Sequence, residues 1–151
     1  MGRGSLALAM TLVMILHLNS PALLGMEGGD RGTEARDSSL DILMLGNSYT
    51  STNSLAVRLD SILTDSGEDA VVTSLTSGGL KLSEHAERAD TPGHSWNASL
   101  QQQHDFVILQ DQSQVPGLST ETEYWQESLE GLQYLNQRIE SQGGDNILFM
   151  T

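Results

Sequence analysis

The chain has 151 residues, and its acids outnumber its bases by 20 to 7, giving a formal net charge of −13 at pH 7. This length suits a single domain with a real apolar core. The acidic balance favours solubility and argues against nucleic acid as a partner, because nucleic-acid recognition needs a basic face. The chain has no cysteine, which excludes disulfides, thiolate catalysis and cysteine-ligated zinc.

The first 22 residues have the pattern of a secretory signal peptide. One basic residue, Arg3, precedes an apolar run from about Leu6 to Leu18, and small and polar residues follow as far as Ala22. The run is shorter than the roughly 20 residues of a membrane span. We therefore expect a secreted protein with no stable span after cleavage, or a membrane-anchored one if the segment is retained. Residues 23–39 predict a flexible lead-in, and 40–151 the domain.

The stretch from Asp41 to Thr50 joins an apolar strand to a turn that contains a serine. Ile42–Leu45 has no polar alternation, which is typical of a parallel strand covered on both faces. Gly46 permits a tight turn, so Asn47 and the residues after it lie at the carboxyl end of the strand. In open α/β sheets, ligands bind at that edge.

Helical and strand patterns alternate along the rest of the chain. A helix is predicted from about 54 to 66, capped by Ser51 or Asn53 and ended by Gly67. A short helix is predicted at 82–89. A longer helix follows the capping-box pattern of Thr120 and Glu123. Three further strands are predicted at 70–75, 106–109 and 146–150. This order predicts an α/β domain with a flavodoxin-like, three-layer parallel sheet.

Two further strand ends carry residues suited to a site. Gly78 and Gly79 follow the second strand, and backbone N–H groups unshielded by side chains suit an oxyanion hole. Gln110, Asp111 and Gln112 follow the third strand, and so many polar groups cannot be buried without partners. Carboxyl ends of parallel strands share one edge, so we expect all three loops to lie at the edge that holds Ser48.

The sequence from Gly46 to Thr50, GNSYT, resembles the first conserved block of the SGNH (GDSL-type) hydrolases. In that family the serine after the first strand is the nucleophile, which implies this role for Ser48. The family more often has aspartate at the place of Asn47. The resemblance extends over about 42–151 and implies an SGNH-type sheet.

The other two loops are also similar to SGNH blocks. A glycine after the second strand donates an oxyanion-hole N–H in the family, which implies Gly78 or Gly79 for that role beside the Ser48 N–H. The third block supplies a side-chain amide, implying Gln112 or Gln110. The local sequence LQDQS resembles that of members acting on carbohydrate acetyl esters. The resemblance thus implies a serine esterase for small acyl esters, with carbohydrate O-acetyl esters as one candidate class. We expect no cofactor, and no histidine or carboxylate spacing in the sequence indicates a metal site.

A serine hydroxyl needs a base, which the family supplies from an Asp-x-x-His block near its carboxyl end. No such block occurs in this chain, so we expect an SGNH domain incomplete at its carboxyl end, with no base of its own. The 27-residue connection after the second strand contains His85 and His94 and is long enough to bring either of them to the edge that holds Ser48, although a packed or solvated histidine is the simpler interpretation of each. His104 precedes the third strand, and about six residues of strand place it roughly 20 Å from Ser48.

Two alternatives belong to other classes of protein. One is a secreted binding domain, for glycans or other ligands, that keeps the cleft without the chemistry. The other is a structural domain with the same sheet, in which Ser48 only caps the following helix.

Overall fold

The computed structural model describes residues 39–150 and has four strands: β1 (Leu40–Gly46), β2 (Ala70–Thr76), β3 (Phe106–Gln110) and β4 (Asp145–Phe149). All pair in parallel, in the order β2-β1-β3-β4. The predicted parallel α/β sheet is confirmed. Its order matches the first four strands of the flavodoxin-like order 2-1-3-4-5. The predicted signal peptide lies outside the described residues.

Five helices flank the sheet in the described part of the chain: α1 (Ser48–Thr52), α2 (Leu55–Asp65), α3 (Leu82–Asp90), α4 (Ser95–Ser99) and α5 (Glu123–Ser141). A short 3-10 turn spans Val115–Gly117. The helices α1 and α4 were not predicted, because five residues are too few to show an apolar period. Within residues 39–150, no helix has both the length and the apolarity to cross a membrane.

The helix starts differ from those predicted. Ser54 precedes α2 with a φ of 49° and makes no side-chain capping bond. The predicted caps bond back to α1 instead: Asn53 Nδ2 donates to the Tyr49 carbonyl. Thr122, rather than Thr120, caps α5, because its hydroxyl accepts from the Trp125 N–H at 3.4 Å. The predicted end of α2 at Gly67 is confirmed, with a φ of 88° there.

The main core lies between the sheet and the helices α3, α4 and α5. Alternate residues of the two central strands, such as Leu45 and Leu109, are completely buried there. They pack with Leu135 of α5 and with Trp96 of α4. Residues on the other face of β1 are buried as well, which agrees with the prediction of a strand covered on both faces.

The register of the sheet aligns the carboxyl ends of the strands. Gly46 pairs with Thr76, the last residue of β2, and Gln110 pairs with Phe149, the last residue of β4. β1 and β3 are neighbours although the chain reaches β3 only after β2. The chain therefore reverses its direction of travel across the sheet between β1 and β3. In doubly wound sheets, this switch point is where ligands bind.

Candidate active site

Ser48 is exposed at the carboxyl end of β1, as the first residue of α1. Asn47 caps this short helix, because its Oδ1 accepts from the Tyr49 N–H at 3.1 Å. Within the described residues, neither the hydroxyl nor the backbone N–H of Ser48 donates a hydrogen bond. Both groups are therefore available to a ligand at the switch point.

Gly46 is required by the close approach of two side chains to the turn before Ser48. A Cβ at Gly46 would stand 2.8 Å from Gln110 Oε1 and would overlap the Thr50 hydroxyl. Thr50 Oγ1 itself donates to Gln110 Oε1 at 2.6 Å. The strand thus needs glycine at this position for space, whereas the turn that the sequence predicted does not require it, because Gly46 has no positive φ.

The two glutamines of the third loop have different surroundings. Gln110 is 1% exposed, and its Oε1 accepts from the Asn47 N–H at 3.1 Å and from Thr50. Its Nε2 is buried and makes no hydrogen bond within residues 39–150. Gln112 is half-buried, and its Oε1 accepts from the Gln114 N–H at 2.7 Å. Gln110 therefore stabilises the Ser48 turn through its side-chain oxygen, while the amide N–H groups of Gln112 remain available.

Gly78 and Gly79 are exposed in the loop after β2. Gly79 has a φ of 69°, a conformation that favours glycine, whereas Gly78 does not. In the described part of the chain, the N–H groups of both glycines lack an acceptor. Just before them, the Ser77 N–H donates to the Gly46 carbonyl at 3.3 Å, which holds the start of this loop against the end of β1.

The side chain of Asn47 connects the three loops. It is 1% exposed, and its Nδ2 donates to the Asp111 carbonyl at 2.9 Å and to the Leu80 carbonyl at 3.4 Å. These three residues are the sequence neighbours of Ser48, Gln112 and Gly79. The structure thus brings the predicted loops together. Sequence analysis missed the role of Asn47; the signal was an amide at a buried strand end, where its N–H groups must find acceptors.

A cavity of about 130 Å³ lies at the same sheet edge, between α5 and the end of β4. Its lining is mostly apolar and includes Trp125, Leu132 and Phe149. Asp111 and Ser128 form its polar wall, where the Ser128 hydroxyl donates to the Asp111 carboxylate. This space suits the apolar part of a small ligand.

His85 is completely buried in the core rather than facing the serine loop. Its Nδ1 accepts from the Trp96 indole N–H at 2.9 Å, and its Nε2 has no partner in the described residues. Burial, together with the charge of Arg88, lowers the pKa of His85 to about 4. Its one accessible lone pair is already used, so His85 does not serve as a base in this arrangement.

The other two described histidines are also engaged elsewhere. His94 caps α4, with its Nδ1 accepting from the Trp96 N–H at 3.4 Å, and its ring lies 5.2 Å from the Trp96 ring. His104 bonds Asp41 Oδ1 at 2.8 Å and the Ser99 carbonyl at 3.0 Å. Asp41 lies near the amino end of β1, so His104 is at the opposite edge from Ser48, as the sequence predicted. Within residues 39–150, no histidine hydrogen-bonds to Ser48.

The described residues include no group of three histidine or carboxylate side chains arranged to hold a metal ion. No protein-family model, curated protein or solved structure matches this chain. The features that classify the protein are its fold, a parallel α/β sheet flanked by helices, and the loops at the switch point.

Proposed function

We propose that this chain carries the nucleophile and the oxyanion hole of a serine ester hydrolase of the SGNH type. Ser48 attacks the carbonyl carbon of a small acyl ester, its proton passes to a base, and the alcohol leaves from a tetrahedral intermediate. Water then hydrolyses the acyl-enzyme. The negative oxygen is stabilised by the Ser48 N–H, by the N–H of Gly78 or Gly79 and by the Gln112 amide.

One observation carries the proposal. The three loops that hold these donors are joined by the Asn47 side chain at the switch point between β1 and β3. Within the described residues, all of the proposed donors lack acceptors, so nothing in this part of the chain competes with a ligand oxygen. Gln110, the other candidate amide, is 1% exposed and its Nε2 is buried, whereas Gln112 is half-buried, so the proposal uses the more accessible Gln112.

The cavity beside Asp111 supports a small substrate; it lies at the same sheet edge as Ser48, although Ser48 is not among its lining residues. About 130 Å³ accommodates a short acyl chain or a small ring, since an apolar cavity of about 150 Å³ binds benzene. Short acyl esters are the proposed substrates, and the similarity of LQDQS to members acting on carbohydrate acetyl esters makes carbohydrate O-acetyl esters one candidate class. The proposal assigns the base to a group outside residues 39–150, because the described histidines are engaged elsewhere.

The test is covalent labelling of the purified chain with an alkyl fluorophosphonate, in buffer that contains imidazole as an external base. Attack by Ser48 forms the O–P bond, fluoride leaves, and imidazole takes the proton. Peptide mass spectrometry then gives the labelled position. We expect Ser48 to react at least about tenfold faster than any other serine, because only its adduct gains the oxyanion-hole donors.

Ser51→Ala is the matched control, since Ser51 is also exposed in α1 and its hydroxyl donates to the Ser48 carbonyl at 3.4 Å. This variant should be labelled like the parent, whereas Ser48→Ala should lose the adduct. Equal labelling of Ser48 and the other exposed serines would contradict the esterase proposal.

The alternative is a binding domain that retains the cleft without turnover. The observation that favours it is that no described histidine contacts Ser48. It predicts that acetylated glycans bind the chain, as measured by calorimetry, and that Ser48→Ala binds them equally well while the fluorophosphonate leaves Ser48 unmodified.

A further inference from the structure

The Asn47 amide uses its oxygen and its nitrogen for different purposes. Its Oδ1 caps α1 by accepting from the Tyr49 N–H, whereas its Nδ2 donates to the carbonyls of Leu80 and Asp111. A carboxylate would perform the first function and fail at the second, because it has no N–H. Only an amide satisfies all three neighbours at once.

Asp111 extends this connection to two further elements. Its carboxylate accepts from the Leu82 N–H at 3.0 Å, at the start of α3, and from the Gln112 N–H at 2.7 Å. It also accepts from the hydroxyl of Ser128, which is 5% exposed within α5. Asp111 is therefore fixed from three sides, and its carbonyl is a rigid anchor for Asn47.

Together the two residues connect every loop that holds a proposed oxyanion-hole donor. Asn47 precedes Ser48, its acceptor Leu80 follows Gly79, and its other acceptor Asp111 precedes Gln112. Loss of the Nδ2 bonds would leave the buried carbonyls of Leu80 and Asp111 without a hydrogen-bond donor, because no other group in the described chain donates to either of them. The spacing of the three loops would then be free to change.

We propose that Asn47 is a positioning residue whose amide nitrogen sets the spacing of the Ser48, Gly79 and Gln112 loops, so that aspartate cannot replace it in this chain. The inference rests on the proposed function only where it concerns labelling at Ser48. The spacing of the loops is measurable on its own. Asn47→Asp separates the two purposes, since it keeps the cap and removes the bonds between the loops.

The experiment compares Asn47→Asp with Asn53→Asp. Asn53 follows the same short helix and is exposed, and the same atoms change when it is replaced. In Asn47→Asp we expect fluorophosphonate labelling of Ser48 to slow by about tenfold or more, the effect of a lost buried hydrogen bond. Asn53→Asp should stay close to the parent.

Hydrogen exchange followed by NMR gives the readout that does not depend on chemistry at Ser48. In Asn47→Asp, the Leu82 and Gln112 amides should exchange about tenfold faster than in the parent, while the Tyr49 amide keeps its protection. Unchanged exchange at Leu82 and Gln112 would overturn the inference. If the parent is not labelled at Ser48 but exchange changes as expected, the esterase proposal fails and the positioning role stands.

A measurement on the parent covers the case in which Asn47→Asp does not fold. The two Asn47 Nδ2 protons should exchange at least about tenfold more slowly than those of Asn53, because both are buried and bonded. Equal rates for the two side chains would overturn the inference without any variant.

Discussion

His85 is completely buried and has an ionisable ring, so it connects the stability of the fold to pH. The folded state disfavours the charged ring, and the pKa of His85 falls from 6.5 to about 4 there. Unfolded chains bind a proton at this residue near pH 6.5. The contribution of the neutral His85 ring to stability is therefore fully present above about pH 6.5. It is lost progressively as the pH falls from there towards 4.

We expect His85 to cost the parent about 2 kcal/mol of unfolding free energy between pH 7 and pH 4.5, from a shift of about 2.5 units. His85→Gln keeps an acceptor for the Trp96 indole N–H and removes the titration. Urea denaturation at the two pH values should show that this variant loses correspondingly less stability. His94→Gln, which changes a partly exposed histidine, should behave like the parent. A parent and a His85→Gln variant with the same pH dependence would contradict this prediction.

The sequence predicted the serine turn and its edge of the sheet at the scale of single residues, because an apolar run that ends at glycine has few structural interpretations. It left Gln110 and Gln112 equivalent, since both follow the same strand. Their burial and the hydrogen bonds that Asn47 and Thr50 donate to Gln110 distinguish them in the structure. The bond from Asn47 to Asp111 joins residues 64 positions apart, and local pattern contains no information on such a contact.

At the scale of elements, the helices α3 and α5 approach each other closely at Gly131. A Cβ there would stand 2.6 Å from the Ser83 nitrogen and 2.7 Å from the Leu82 carbonyl oxygen. Both are backbone atoms at the start of α3, so they cannot move aside as a side chain would. Because Leu82 also bonds to Asp111, this contact holds α3 against the candidate site.

Gly131→Ala should lower the free energy of unfolding by about 1–3 kcal/mol, the usual cost of overpacking. Helix propensity works in the opposite direction, by up to about 1 kcal/mol in favour of alanine. Chemical denaturation of Gly131→Ala and of Gly117→Ala checks the balance. Gly117 has open space around its Cβ position and should tolerate alanine. A Gly131→Ala variant more stable than the parent would mean that propensity, and not the contact, dominates.

The long elements were predictable and the short ones were not. The helix α5 has 19 residues, enough to show its apolar stripe, although its start lies at Thr122 rather than at Thr120. The helix α4 has five residues and forms because Trp96 and the buried Asn97 anchor it to α3, where Asn97 Nδ2 donates to the Ala89 carbonyl at 2.6 Å. Tertiary contacts of this kind leave no periodic signal.

At the scale of the whole molecule, the net charge of −13 opposes compaction. Raising NaCl from about 0.01 M to 1 M shortens the Debye length from about 30 Å to about 3 Å and screens this repulsion. We expect thermal unfolding to shift upwards by a few degrees, as measured by circular dichroism. The Lys81–Glu127 ion pair is partly exposed, so its own screening has little weight.

The control for this prediction neutralises one acidic cluster. Asp65, Glu68 and Asp69 are exposed around the turn between α2 and β2. A triple variant with Asn, Gln and Asn at these positions should be more stable at low salt and respond less to NaCl. If the parent and the triple variant respond identically, the salt effect does not arise from repulsion at this cluster.

The net negative charge also affects association between molecules at the outer strand β4. Within residues 39–150, β4 pairs with β3 along one side only, and Ile147, Leu148 and Met150 are 43%, 45% and 64% exposed around it. Wherever no other segment covers it, an apolar edge of this kind is a template on which further chains can assemble into fibrils. The mutual repulsion of acidic molecules opposes that assembly. Salt thus stabilises each folded molecule but weakens the repulsion between molecules. As ionic strength rises, the thermal unfolding temperature should increase while the time before aggregation should become shorter.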